Sequence, residues 1–343
     1  MIVPFLLAPM AELSHRPLRE LIESFKPCLK LSGAAKNGAD EYFTEMISAG
    51  ALVSGGPFEA WYADNGPCPE KLVYQLVGSD EDSLFRGVTL LDRRECLGID
   101  INMGCSAPAI TRTGAGVRWM ADINRAGALI RRLKSATGRR LSVKLRTGLA
   151  DDFEYLVRFC RRLQEEGVDL ITLHPRTARE KFKRKARWDY VSALRRELSI
   201  PLAGNGDIAS AEEMLRRGEE CDAVMVGRLA VRRPWVFAEA KALPDTNLFQ
   251  NIITQRRKDA EKIEQFDNYE HYVDYVDIEE IGLRFLELLA RYQPPEFHIS
   301  RAKRFFSYFC DNLKWANYVK NLLNRETSLS GMEHVWKGYF AKA

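Results

Sequence analysis

Apolar and polar residues along this chain alternate with two different periods. Short apolar, β-branched runs, each ended by Gly, Pro or a polar residue, lie at 3–9, 28–32, 72–77, 98–103, 141–146, 170–174, 201–205 and 223–227. Such runs predict strands buried on both faces. Between the later runs the period becomes helical. In DDFEYLVRFCRRLQEEGVD, Phe153, Leu156, Val157, Cys160 and Leu163 fall on one face, and Gly167 stands where a helix stops. Eight strands alternating with helices predict parallel pairing and an α/β architecture closed into a (β/α)8 TIM barrel. An open doubly wound sheet would share the pattern, but no GxGxxG directly follows an early strand.

After Pro234-Trp235 the pattern changes. Residues 249–266, 269–292 and 299–325 are charged and helix-periodic and contain no strand candidate. They predict a smaller C-terminal helical domain. The expected division is a barrel over 1–242 and a smaller helical domain over 243–343, joined near LPDTN at 243–247. A chain of 343 residues is long enough for one large and one smaller domain.

Composition mainly excludes. With 46% hydrophobic and 29% charged residues the chain is ordinary globular protein. No apolar run approaches the roughly 18 residues of a membrane span, and the opening VPFLLAPM lacks the basic flank of a signal peptide and predicts a first strand. The seven cysteines are odd in number and never spaced as CxxC, which argues against a disulfide framework and a zinc site and fits a reducing cytoplasm. The net charge of +4 demands no nucleic-acid partner; the clusters carry more information. RTAREKFKRKAR, residues 176–187, holds seven basic residues and one acidic, just after the sixth strand. Residues 301–325 interleave six Lys/Arg with Phe305, Phe306, Tyr308, Phe309, Trp315 and Tyr318, either as an RNA-facing surface or as a helical core with a solvated face.

In a barrel the C-terminal strand ends form one rim, where residues distant in sequence converge. Here the rim would gather Ala8-Pro9-Met10, Gln75, Asn102 with Cys105, Lys144 with Arg146, His174 with Arg176, Gly204-Asn205-Gly206 and Gly227-Arg228. Glycine turns after strands 7 and 8 expose backbone N–H groups that can cradle a phosphate, with His174, Lys144 and Arg228 as further donors. The Gln75 amide suits the edge of a planar, amide-rich ring, and Lys144 can hold negative charge on a ring that has accepted a hydride, which favours a flavin over a sugar. Singly, each residue also has a structural reading; GNGDI alone is a strand-ending turn with an Asp cap.

Nine pieces occur in order: APMAELSHRP (8–17), TEMISA (44–49), QLVGSD (75–80), DINMGC (100–105), GAG (114–116), VKLRTG (143–148), HPRT (174–177), GNGDI (204–208) and VMVGRLAVRRPWVF (224–237). On these pieces, from residue 4 to about 237, the sequence resembles the dihydrouridine synthases, flavin enzymes that reduce uridine in RNA. The resemblance implies FMN held by Pro9, Met10, Gln75, Lys144, His174, Asn205, Gly206, Gly227 and Arg228, with NADPH as electron donor. It implies that Cys105 is the general acid, protonating C5 of the pyrimidine as hydride reaches C6. Asn102, Arg176 and Arg179 are its substrate-side residues. The implied partner is RNA, most of all tRNA, with catalysis in the barrel of 1–242 and RNA docking by the helical domain of 243–343, in a cytoplasmic monomer with no membrane attachment and no metal. Departures fall on the substrate side. Ser106 and Ala109 replace a Pro and a Lys usual in the cysteine loop, and Ala178 and Glu180 replace an Arg and a Gln, with Arg179 one position late. Two other readings use the same residues: a flavin barrel reducing a small unsaturated substrate, and an RNA-binding flavoprotein without catalysis.

Overall fold

The computed structural model describes residues 3–25, 38–181, 183–243 and 276–341. Eight parallel strands close in sequence order, with β8 pairing back to β1, so the expected (β/α)8 barrel is observed. They are β1 (Phe5–Leu7), β2 (Glu41–Ser48), β3 (Leu72–Val77), β4 (Gly98–Met103), β5 (Arg140–Gly148), β6 (Leu170–Thr177), β7 (Leu202–Asn205) and β8 (Ala223–Val226). The helix Phe153–Glu165 shows why the outer layer forms. Asp152 caps it by accepting from Tyr155 N at 2.8 Å, and Leu156, Phe159, Cys160 and Leu163 are buried. Each fully buried apolar side chain of this kind contributes about 1.5–3 kcal/mol.

The second strand differs from expectation. The predicted run at 28–32 lies outside the described residues, and β2 is Glu41–Ser48. Its two glutamates disguise it as a polar segment, yet both are used. Glu41 takes a two-pronged bond from Arg140 of β5, at 2.7 and 2.5 Å, across the N-terminal end of the barrel, and Glu45 is buried and accepts from Glu12 N at 2.5 Å. β5 and β6 also run two to three residues past their predicted ends.

The barrel interior changes character along its axis. Leu6, Phe43, Val73, Leu170, Ala203, Ala223 and Met225 form an apolar cluster. Toward the C-terminal ends, the register sets Gln75, Asp100 and Ser142 at one level and Asn102, Lys144 and Thr172 at the next. Burying polar groups is costly unless each finds a partner, so this polar layer marks where the barrel stops being only a core.

The described residues group into two compact units, the first holding all eight strands and the second the helices from Arg228 onward. In the second, Ile278–Tyr292, Pro295–Phe309, Ala316–Arg325 and Leu329–Phe340 are helices; the predicted helical stretch 249–266 lies outside the described residues. Phe285, Phe305, Phe306, Phe309 and Trp336 are buried together, and Trp336 Nε1 donates to Glu279 O at 2.9 Å. The aromatics of the 301–325 segment therefore divide: the three phenylalanines are core, whereas Trp315 and Tyr318 are each 62% exposed. Among the described residues no helix is long and apolar enough to cross a membrane.

Candidate active site

Cys105 stands two residues past the end of β4, half-buried at the C-terminal rim. Its backbone is pinned on both sides. Cys105 N donates to Asn102 Oδ1 at 2.8 Å, and Cys105 O accepts from Val117 N at 3.0 Å. The second bond explains the glycine run downstream. Gly116 has φ +62°, and a Cβ there would lie 2.4 Å from Cys105 O, so only glycine lets the returning chain pack against the cysteine loop.

Below the cysteine lies a chain of amides. Asn102 Nδ2 donates to Gln75 Oε1 at 3.0 Å, and Gln75 Nε2 donates to Asp100 Oδ2 at 2.7 Å. Ser142 Oγ donates to Asp100 Oδ1 at 2.7 Å. Gln75 is also held from behind, since its backbone N donates to Thr44 Oγ1 at 3.0 Å. Burial pushes the Asp100 carboxyl up to about 6, against the downward pull of the Ser142 and Gln75 bonds. Asp100 is absent from the residues read as functional in the sequence; its alternation with Asn102 in the buried run GIDINM was the available signal.

Lys144 rises from β5 beside this layer. Its ammonium donates to Asn205 Oδ1 at 3.1 Å, and Asn205 Nδ2 is fixed by Met225 O at 2.8 Å. Burial lowers the Lys144 pKa to about 8; Arg146 lowers it further, while Asp100 and Cys105 oppose the change. The neighbouring Thr172 Oγ1 is buried without a hydrogen-bond partner. His174 is buried and its Nε2 takes a 3.1 Å contact from Arg176. A guanidinium can only donate, so this contact is a hydrogen bond when Nε2 is the acceptor. Gly206, at φ +124°, sits so close that a Cβ would be 2.9 Å from His174 Cδ2. A Cβ on Gly227 would lie 3.4 Å from Met10 Sδ, and Met10 N is held by Ser14 Oγ at 2.8 Å. Pro9 precedes Met10 at the end of β1. Arg228 starts the helix Arg228–Arg232 and groups with the second unit.

These features suit a flavin. An orphaned hydroxyl, a cation that burial makes reluctant to stay charged, and a glycine, Gly206, with no room for a side chain form a cradle that an anionic planar group would complete. Lys144, His174, Asn205 and the Gly206 backbone are the groups able to hold it; Gln75, also expected to do so, is fully buried with its amide bonded to Asn102 and Asp100.

The substrate-side residues are less uniform. Asn102 is buried and engaged with Gln75 and Cys105. Arg176 is buried behind His174, donating to Asp207 and to Arg184 O, both at 2.5 Å. Arg179 is exposed. The departure at Glu180 has a structural role: its carboxylate receives two bonds from Arg187, at 2.8 and 2.9 Å, and one from Thr177 N at 2.7 Å. The Arg187 bonds, with those from Thr177, hold the Glu180 carboxyl down to about 2. Arg146 ties this loop to the other side of the mouth, donating to Gly104 O at 3.0 Å and to Thr177 O at 3.3 Å. Between these ties Arg179, Lys181, Lys183, Arg184 and Lys185 all face solvent.

The family described as dihydrouridine synthase (Dus) matches residues 6–285. A probable tRNA-dihydrouridine synthase of Aquifex aeolicus is 34% identical over 247 residues, covering 70% of this chain and 73% of that protein. One of Rhizobium leguminosarum is 31% identical over 232 residues, covering 67% and 69%. One of Helicobacter pylori is 27% identical over 238 residues, covering 67% and 68%.

Proposed function

Because this chain belongs to the dihydrouridine synthase family, and so is an oxidoreductase that reduces uridine to 5,6-dihydrouridine in tRNA, we propose that it works at the barrel mouth with FMN and NADPH and that Cys105 is its proton donor. The observation that carries this reading is a thiol held by its backbone above Gln75 and beside Lys144, at the end of β4. FMN, when bound, supplies the hydride. Lys144 offsets negative charge that develops on the ring. His174 and the backbone of Asn205-Gly206 bind the phosphate end. Cys105 Sγ holds the proton and delivers it to C5 of the base.

A uridine inside folded RNA reaches such a site only when turned out of its stack. The exposed cations of residues 179–185, held between the Glu180–Arg187 pair and Arg146, are placed to grip the flanking phosphates. A tRNA-modifying role puts the protein with its substrate in the cytoplasm. The test is direct. The purified chain is incubated with unmodified tRNA transcript and NADPH, and nucleosides are analysed by mass spectrometry. A mass gain of one H2 on uridine, dependent on FMN and absent in Cys105→Ala, supports the reading; no gain with FMN bound refutes it.

A further inference from the structure

One member of the polar layer has no part in the chemistry above. Asp100 is fully buried and touches neither the mouth nor solvent. From it to the catalytic loop every hydrogen bond runs one way: Cys105 N donates to Asn102, Asn102 Nδ2 to Gln75, and Gln75 Nε2 to Asp100. The two ends of this chain are chemically fixed. A backbone N–H can only donate, and an ionised carboxylate can only accept, whereas each amide between them could be turned either way. Turning either one would set N–H against N–H in a buried place and orphan a donor.

We propose that Asp100 is a positioning residue: as the terminal acceptor it sets the orientation of the Gln75 and Asn102 amides, and through them it holds the Cys105 loop to the barrel. This inference rests on the reading of Cys105 as proton donor. The charged groups facing Asp100 are Lys144 and Arg140, both cations of β5, which favour its ionised form. Ser142 occupies Oδ1 and so leaves Oδ2 to Gln75. Bonds aligned head to tail in a low-dielectric interior strengthen one another, so loss of the last acceptor is felt at the first donor.

The experiment uses the purified full chain, with and without FMN. Asp100→Leu removes the acceptor while keeping the branched shape of the side chain. Asp100→Asn keeps an oxygen toward Gln75, because Ser142 Oγ can accept from the new amide. Hydrogen exchange of the Cys105 amide, measured against β6 amides as an internal reference, is expected to accelerate about tenfold in Asp100→Leu and to stay within about threefold in Asp100→Asn. The kcat on tRNA should follow the same order while KM changes little. Unchanged exchange in Asp100→Leu, or equal loss in both variants, overturns the proposal. If Asp100→Leu does not fold, Gln75→Leu cuts the same chain one link higher and must free the same amide. Exchange needs neither flavin nor RNA, so a chain that exchanges as expected but reduces no uridine counts against the function alone.

Discussion

Replacing Lys144 by Met should make this protein more stable and less active at once. Burial draws the Lys144 pKa from 10.5 to about 8, which corresponds to about 3 kcal/mol spent on keeping the ammonium charged in the fold, at ~1.4 kcal/mol per tenfold change in proton affinity. Losing the bond to Asn205 returns about 1 kcal/mol, leaving Lys144→Met stabilised by about 2 kcal/mol at pH 7. The sign follows from proton counting. Below pH 8 lysine is charged in both states and the fold bears the full cost. Between about 8 and 10.5 the unfolded chain keeps a proton that the folded chain has lost, so wild-type stability rises with pH through that window. The advantage of Lys144→Met should therefore shrink across it and turn into a deficit of about 1 kcal/mol above it, where only the lost bond to Asn205 counts. Urea denaturation of the cofactor-free proteins at pH 7 and pH 10 measures the difference, and steady-state reduction of tRNA at pH 7 should fall by about tenfold or more, the charge beside the ring being gone. A variant less stable than wild type at pH 7, or a gap independent of pH, would refute the reasoning.

Three further predictions follow from the loops. Gly116→Ala meets both a positive φ and Cys105 O; it should cost about 1–3 kcal/mol in thermal melts and lower kcat while tRNA affinity persists, and wild-type turnover would count against the role given to Gly116. Lys181→Ala, Lys183→Ala and Lys185→Ala combined should flatten the plot of log Kd for tRNA against log salt by about 2–3; an unchanged slope would remove this loop from the RNA-facing surface. Glu180 has a folded pKa held at about 2 against an ordinary 4.5, so its contribution is complete above 4.5 and lost as pH falls toward 2. Glu180→Gln should be less stable than wild type at pH 6 and similar to it at pH 2, and melting curves that differ equally at both pH values would contradict this.

The barrel was legible because seven of its strands are apolar runs with turn residues at their ends, and because the mouth residues follow those runs directly. β2 was not, since its side chains answer to partners far away in sequence: Glu41 to Arg140, and Glu45 to the backbone at Glu12. The same cause hid Asp100. An aspartate within a buried strand looks like an interruption until Ser142 and Gln75 are seen to satisfy it. Glu180 reads in sequence only as a departure from the family pattern; its bonds to Arg187 and Thr177 make it the brace of a basic loop. Phe305 and Trp315 lie in one basic, aromatic segment, yet one is core and the other exposed, a distinction that periodicity broken by the turn at Cys310–Asn312 could not supply.

The central claim is that Cys105, held at the mouth of this barrel, completes the reduction of uridine in tRNA. It is tested most directly by nucleoside mass spectrometry of tRNA from cells that lack this gene and any other enzyme of the family, complemented with wild type or with Cys105→Ala. The account predicts that wild type restores dihydrouridine at a defined position and that Cys105→Ala, expressed to the same level, does not. Dihydrouridine absent with wild type, or restored in full by Cys105→Ala, would contradict it.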